Sequence, residues 1–176
     1  APGGDEVAWR KCLTCNHEGT EQRCIKCGAA RHAWPTPFVG ASGHHLNKII
    51  IEAGLRRQDC FAFNILPIRP PENKLPRLYE LGLTISEFHP LIKRVLQLVK
   101  PNIVCAIGAT ALTTLCDKSG ITKWRGSILE STLVPKLKVV PTIHTAMLFQ
   151  EWNFRPRMVF DLGRVREEQE TSLLLL

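Results

Sequence analysis

The stretch KPNIVCAIGATAL, residues 100–112, decides the fold. Ile103 to Ile107 is a short apolar run that suits a strand buried on both faces. Gly108 makes a turn, and the residues after it read as a short helix. Upstream, SEFHPLIKRVLQLVK (86–100) carries Phe88, Leu91, Ile92, Val95, Leu96 and Val99 at helical spacing, and Pro101 stops it. The same grammar extends outward. FVGASGHHLNKIIIEAGL predicts a turn at Gly40 and Gly43, then a helix with Leu46, Ile49, Ile50 and Ala53 inward and Gly54 as its cap. CFAFNIL (60–66) predicts a buried strand, and the Pro-rich stretch 67–76 a long loop. Residues 127–134 and 137–143 each predict a strand, and 155–170 a closing helix. Strands alternating with helices imply an α/β fold with a mainly parallel sheet covered on both faces.

A chain of 176 residues fits one domain with a small appendage. A hydrophobic fraction of 44% with 22% charged residues excludes wholesale disorder. No apolar run approaches the length of a membrane span, and nothing reads as a signal peptide. Lys and Arg exceed Asp and Glu by 23 to 16, and the net charge of +7 leans towards nucleic acid as a partner. Seven cysteines, four of them in two Cys-x-x-Cys pairs, argue for a reducing, intracellular setting and a metal rather than a disulfide framework. The chain opens without Met on Ala1-Pro2-Gly3 and ends on Leu173 to Leu176. Both ends read as cut from something longer.

Residues 9–34 form a block apart: polar, poor in β-branched residues, rich in Cys and His. Cys12, Cys15, Cys24 and Cys27 give C-x2-C-x8-C-x2-C. Two such knuckles offer a tetrahedral set of four thiolates, the arrangement structural zinc prefers. An iron–sulfur cluster is the other occupant that four thiolates suit. His17 and His32 are surplus to a complete thiolate set. Cys60, Cys105 and Cys116 lie singly in apolar segments and read as core.

In sheets of this kind ligands bind beyond the carboxyl ends of the strands. The segments in that position are FNILPIRPPENK, IGATA and PTIHTAML. The polar side chains they offer are Asn64, Arg69, Asn73, Lys74 and His144.

The order of motifs carries a resemblance. APGGDE (1–6), TPFVGASG (36–43), FNILPIRPPENKLP (63–76), KPNIVCAIGATAL (100–112), ITKWRG (121–126), PTIHTAML (141–148) and FDLGRV (160–165) resemble the uracil-DNA glycosylase superfamily, most closely its family 4. The resemblance implies a three-layer α/β/α body with a central, mainly parallel four-stranded sheet. That body would span residues 1–8 and 35–170, with 9–34 as an inserted zinc-ribbon-like knuckle and 171–176 as a tail. It implies an enzyme that flips uracil out of DNA, hydrolyses its N-glycosidic bond and leaves an abasic site, working inside the cell on DNA; other replication or repair proteins are open as partners. By the same resemblance Phe38 is the aromatic on which the base stacks. Asn64 reads the uracil edge, and His144 lies beside uracil O2. Pro2 and Gly3 belong to the loop at the sugar. Glu6 is the second glutamate of the first motif, and the nearest candidate to activate water. Met147, Leu148 and Phe149 lie where the family has its minor-groove wedge. Arg69, Lys74, Arg77, Lys123 and Arg125 are expected on phosphates.

The roles agree with general chemistry. A base taken out of a duplex needs a stacking face, an edge reader and a plug for the hole. An asparagine amide offers one donor and one acceptor, which suits uracil and opposes cytosine.

Four departures stand out. The strand that precedes A-P-G in the family is absent. His144 is followed by Thr145 instead of proline, and the water-activating aspartate of some members is replaced by Ala1. Two cluster-ligand positions of family 4 appear here as Ile68 and Phe88, which cannot ligate iron, so zinc is the expected metal. Two other functions stay open: a glycosylase-like domain of a larger replication or repair protein that binds DNA without cutting, and a glycosylase for another deaminated base.

Overall fold

The computed structural model describes residues 10–11, 18–19, 37–38, 41–68, 70, 72 and 74–170. Two short strands, β1 (Arg10–Lys11) and β2 (Glu18–Gly19), pair antiparallel within the cysteine-rich block. The four cysteines of that block, with Pro2, Gly3, Glu6 and Arg69, lie outside the described residues.

The body follows as α1 (Ala41–Glu52), α2 (Leu75–Glu80), α3 (His89–Val99), β3 (Ile103–Ile107), α4 (Ala109–Cys116), α5 (Ile121–Trp124), β4 (Leu129–Glu130), β5 (Lys138–Thr142) and α6 (Arg155–Glu168). Strand β3 occupies the residues its apolar run predicts, and pairs parallel with β5 from Ile103↔Lys138 to Ile107↔Thr142. Strand β4 adds antiparallel on the far side of β5, giving the order β3-β5-β4.

Alternation along β3 divides the core into two layers. Val104 and Ala106 face a cluster built from Ile92 and Leu96 of α3 and Leu112 and Leu115 of α4. Cys105 and Ile107 face the opposite cluster, which holds Leu46, Ile49 and Ile50 of α1 and Met158 and Leu162 of α6. A three-layer α/β/α sandwich results, because a strand sends successive side chains to opposite faces. Each fully buried leucine, such as Leu112, contributes about 1.5–3 kcal/mol.

Local sequence sets the helix ends. Pro76, Pro90 and Pro156 each sit in a first turn, where the missing N–H costs nothing. Pro90 explains why the helix expected from residue 86 begins at His89, after a 3-10 turn over Ile85–Phe88. Pro76 lets α2 start inside the stretch expected to be loop. Lys100 ends α3 in a left-handed conformation (φ 49°), just before Pro101.

One expectation is corrected, and the expected strand count is not reached among the described residues. Cys60–Leu66 is extended at Cys60 (φ −101°, ψ 120°) but forms no ladder with any described residue. A strand exists only where a neighbour completes its hydrogen bonds, and here a cavity separates the segment from β3. The sheet of the described residues therefore has three strands, one pair parallel and one antiparallel, where four mainly parallel strands were expected. Among the described residues no helix is long and apolar enough to cross a membrane.

Candidate functional site at the carboxyl ends of the parallel strands

A cavity of about 1220 Å³ opens where β3 and β5 end. Phe38, Asn64 and His144 all line it, together with Gly108, Cys105 and the run Cys60–Leu66. It continues along β3 as far as Lys100 and Asn102, so it is much larger than one base requires.

Phe38 adopts a left-handed backbone (φ 63°), a conformation costly for a bulky residue and found mostly where the surroundings enforce it. The Phe38 backbone packs against Gly43 in the first turn of α1. A Cβ there would run into the carbonyl of Phe38. The glycine read as a turn signal thus makes room for the Phe38 backbone.

Asn64 lies exposed on the irregular segment, and its amide forms no hydrogen bond to another described residue. Both its donor and its acceptor remain open to a ligand.

His144 follows β5 and caps the 3-10 turn Thr145–Phe149. Its Nδ1 accepts the Ala146 N–H at 3.1 Å. That bond requires a lone pair on Nδ1, so the neutral ring carries its proton on Nε2 and offers Nε2–H as a donor. Burial lowers the His144 pKa from the ordinary 6.5, which favours the neutral form. Below the ring lies Gly108 (φ 94°), where a Cβ would come within 3.3 Å of the imidazole Cδ2. Gly108 N–H also donates to the Thr142 carbonyl at 2.8 Å.

The end of β5 is braced from α6. Asp161, fully buried, accepts the Thr142 hydroxyl at 2.7 Å and takes Arg125 on both oxygens. Burial pushes the Asp161 pKa up, against the opposing pull of Thr142 and Arg125. Gly126 N–H donates to the Pro141 carbonyl at 2.9 Å, which ties the RG turn to the same strand. This brace is not legible in the sequence, because its members lie far apart in the chain.

The expected DNA contacts divide. Arg125 turns inward to Asp161. Lys74 and Arg77 are exposed and pair with Glu72. Lys123, with Lys118, lies over the Trp124 ring. In the segment expected to hold a wedge, Leu148 is buried in the core at 4% exposure, while Met147 and Phe149 face outward.

None of the described cysteines is poised as a thiolate. Burial pushes Cys105 up to about 12 and Cys116 up to about 11, and it raises Cys60 as well. No group of His, Cys, Asp or Glu among the described residues could hold a metal. Ile68 and Phe88, which the resemblance sets at two cluster-ligand positions of family 4, are hydrocarbons and cannot ligate iron. Phe88 packs into the core.

A doubly covered α/β sheet with its cavity at the carboxyl ends of parallel strands defines a pocket protein of the kind that takes ligands beyond its strands. The comparisons with known proteins narrow that class. The family model described as the uracil DNA glycosylase superfamily matches residues 26–162. The chain is similar to the type-4 uracil-DNA glycosylase of Thermotoga maritima, at 34% identity over 116 residues, 65% of this chain and 57% of the relative. It is 32% identical to that of Sulfurisphaera tokodaii over 138 residues, 74% of this chain and 61% of the relative. With that of Saccharolobus solfataricus it shares 31% identity over 147 residues, 80% of this chain and 66% of the relative. This chain belongs to the uracil DNA glycosylase superfamily. It spans about three-fifths of the length of these three relatives.

Proposed function

We propose that this chain removes uracil from DNA by hydrolysing the N-glycosidic bond, leaving an abasic site. The observation that supports this most is the single cavity that Phe38, Asn64 and His144 share at the strand ends. Phe38 stacks on the extruded base. The Asn64 side-chain carbonyl accepts uracil N3–H, and its amide donates to O4, a pattern cytosine reverses. As the bond between C1′ and N1 breaks, its electron pair moves onto the base, and O2 gains charge. His144 Nε2–H donates to that oxygen. The cation-like sugar takes a water at C1′, which then loses a proton. By the resemblance Glu6 is the candidate to accept it, and Pro2 and Gly3 belong to the loop at the sugar. Met147 enters the duplex in place of the base, and Lys74, Arg77, Lys123 and Arg69 meet phosphates.

The glycosylase body comprises residues 1–8 and 35–170 in this reading. The insertion 9–34 holds a structural zinc on Cys12, Cys15, Cys24 and Cys27. Metal analysis of the purified chain separates zinc from iron, and visible absorbance would report a cluster.

A single-turnover assay on uracil-containing DNA tests the function. Wild-type protein should release free uracil, Asn64→Asp should lose base choice, and His144→Ala should slow cleavage about 100-fold or more, the usual cost of losing one donor to a developing anion. No release by folded, metal-loaded protein would defeat the proposal, and tight binding without turnover would favour a non-catalytic reader. Hypoxanthine and xanthine substrates test the choice of base.

A further inference from the structure

Just beyond His144 the chain presents two large aromatic rings to solvent. Phe149 closes the 3-10 turn that His144 caps, and Trp152 opens the next turn, Trp152–Phe154. Phe149 is 55% exposed and Trp152 54%. Neither ring belongs to the core, yet neither hangs loose. His45 of α1 makes a T-shaped contact with each, at 5.1 Å to Phe149 and 5.4 Å to Trp152. One imidazole thus fixes the spacing of both rings. The Arg155 guanidinium lies 5.5 Å over Trp152, held by an ion pair to Glu52, and Arg157 sits over Phe154. Six consecutive residues, His144 to Phe149, join the cavity to this patch without a break.

Rings half-exposed, touching one imidazole, next to guanidiniums and a few residues beyond His144 in the chain, form a surface suited to stacking bases. A buried protein interface would leave the guanidiniums to be desolvated. A polynucleotide meets both parts, since every base has a π-face and every linkage a negative charge. The net charge of +7 favours the same occupant.

We infer that Phe149 and Trp152, held by His45, form a stacking platform for unpaired bases beside the extruded nucleotide, with Arg157 on the adjoining phosphate. The inference deepens the glycosylase reading and rests on it for the position of the flipped base. Because the platform needs bases already unstacked, it favours single-stranded over duplex DNA.

The test uses binding of a short oligothymidylate, followed by fluorescence anisotropy, so that it needs no uracil and no catalysis. Trp152→Ala and Phe149→Ala should each weaken binding about tenfold, within the range that base–aromatic stacking spans. Trp152→Phe, which keeps a stacking face, should retain most of the affinity. Arg157→Gln should reduce the slope of log affinity against log salt by about one. Alanine variants that melt like wild type and bind the oligothymidylate equally well would overturn the platform, and so would an equal loss on duplex DNA. Uracil release by wild type is scored separately. If release fails while the alanine variants still lose affinity, the platform stands and the glycosylase reading falls.

Discussion

Arg125 and Asp161, 36 residues apart in sequence, form a two-pronged ion pair, with Nη2 2.7 Å from Oδ1 and Nε 3.1 Å from Oδ2. The carboxylate is fully buried and the guanidinium 20% exposed. Removing one member leaves the other charged and enclosed, so Arg125→Gln or Asp161→Asn should each cost about 3–5 kcal/mol. Replacing both by apolar residues should recover much of that loss. Urea midpoints for the two single variants and the double variant measure the coupling. The salt dependence of DNA binding should stay unchanged in Arg125→Gln at a temperature where it remains folded.

His144 sets the acid limb of activity. Its pKa is lowered in the folded chain, so the neutral ring persists below pH 6.5. Protonation at Nδ1 would set two N–H groups against each other at Ala146 and undo the cap. Single-turnover uracil release should therefore hold through pH 6.5 and fall only at a lower pH. The sign for stability follows from linkage. Between the folded pKa and 6.5 the unfolded chain binds more protons, so this contribution is complete above 6.5 and lost as pH falls through that window. A rate that declines with a midpoint above 6.5 would contradict the assignment.

Gly43 is expected to tolerate no side chain. Its Cβ would occupy the space of the Phe38 carbonyl, so either the left-handed turn or the start of α1 must move. Gly43→Ala should destabilise by about 1–3 kcal/mol, as overpacking does. It should also raise KM for uracil-DNA, because the stacking ring moves with its backbone. Thermal melting and steady-state kinetics on the same sample separate the two effects.

Thr145 carries a stabilising opportunity. Its side chain is fully buried, and its hydroxyl has no hydrogen-bond partner among the described residues. Thr145→Val removes the orphaned group while keeping the branched shape, and should gain about 1 kcal/mol. For a chain of this size that is a rise of roughly 2–4 °C in Tm, read by calorimetry.

The sequence was most informative where local pattern decides the outcome. The five residues Ile103 to Ile107 are apolar in succession and fold as the strand they suggest. The stripe through Ile92 and Leu96 buries those residues as spaced. Cys60 to Leu66 has a similar composition and forms no ladder, because strand pairing depends on a neighbour rather than on the segment. The linear order of motifs named Phe38, Asn64 and His144, and the fold lines one cavity with all three. Side-chain direction was the illegible part. Leu148 and Phe149 are adjacent and both apolar, yet one is core and the other surface. Arg125 reads as a solvent-facing cation until Asp161 comes beside it. The bond from Ala146 to His144 was equally hidden, since a backbone N–H leaves no trace in residue type.

Gly108 gives the imidazole a floor. With only a hydrogen there, the ring rests close against the main chain, nearer than a side chain would allow. Any methyl would lift it by a few tenths of an ångström, on a backbone already turned to a φ that side chains resist. A saturation library at this codon, screened for uracil release, should return glycine and nothing else.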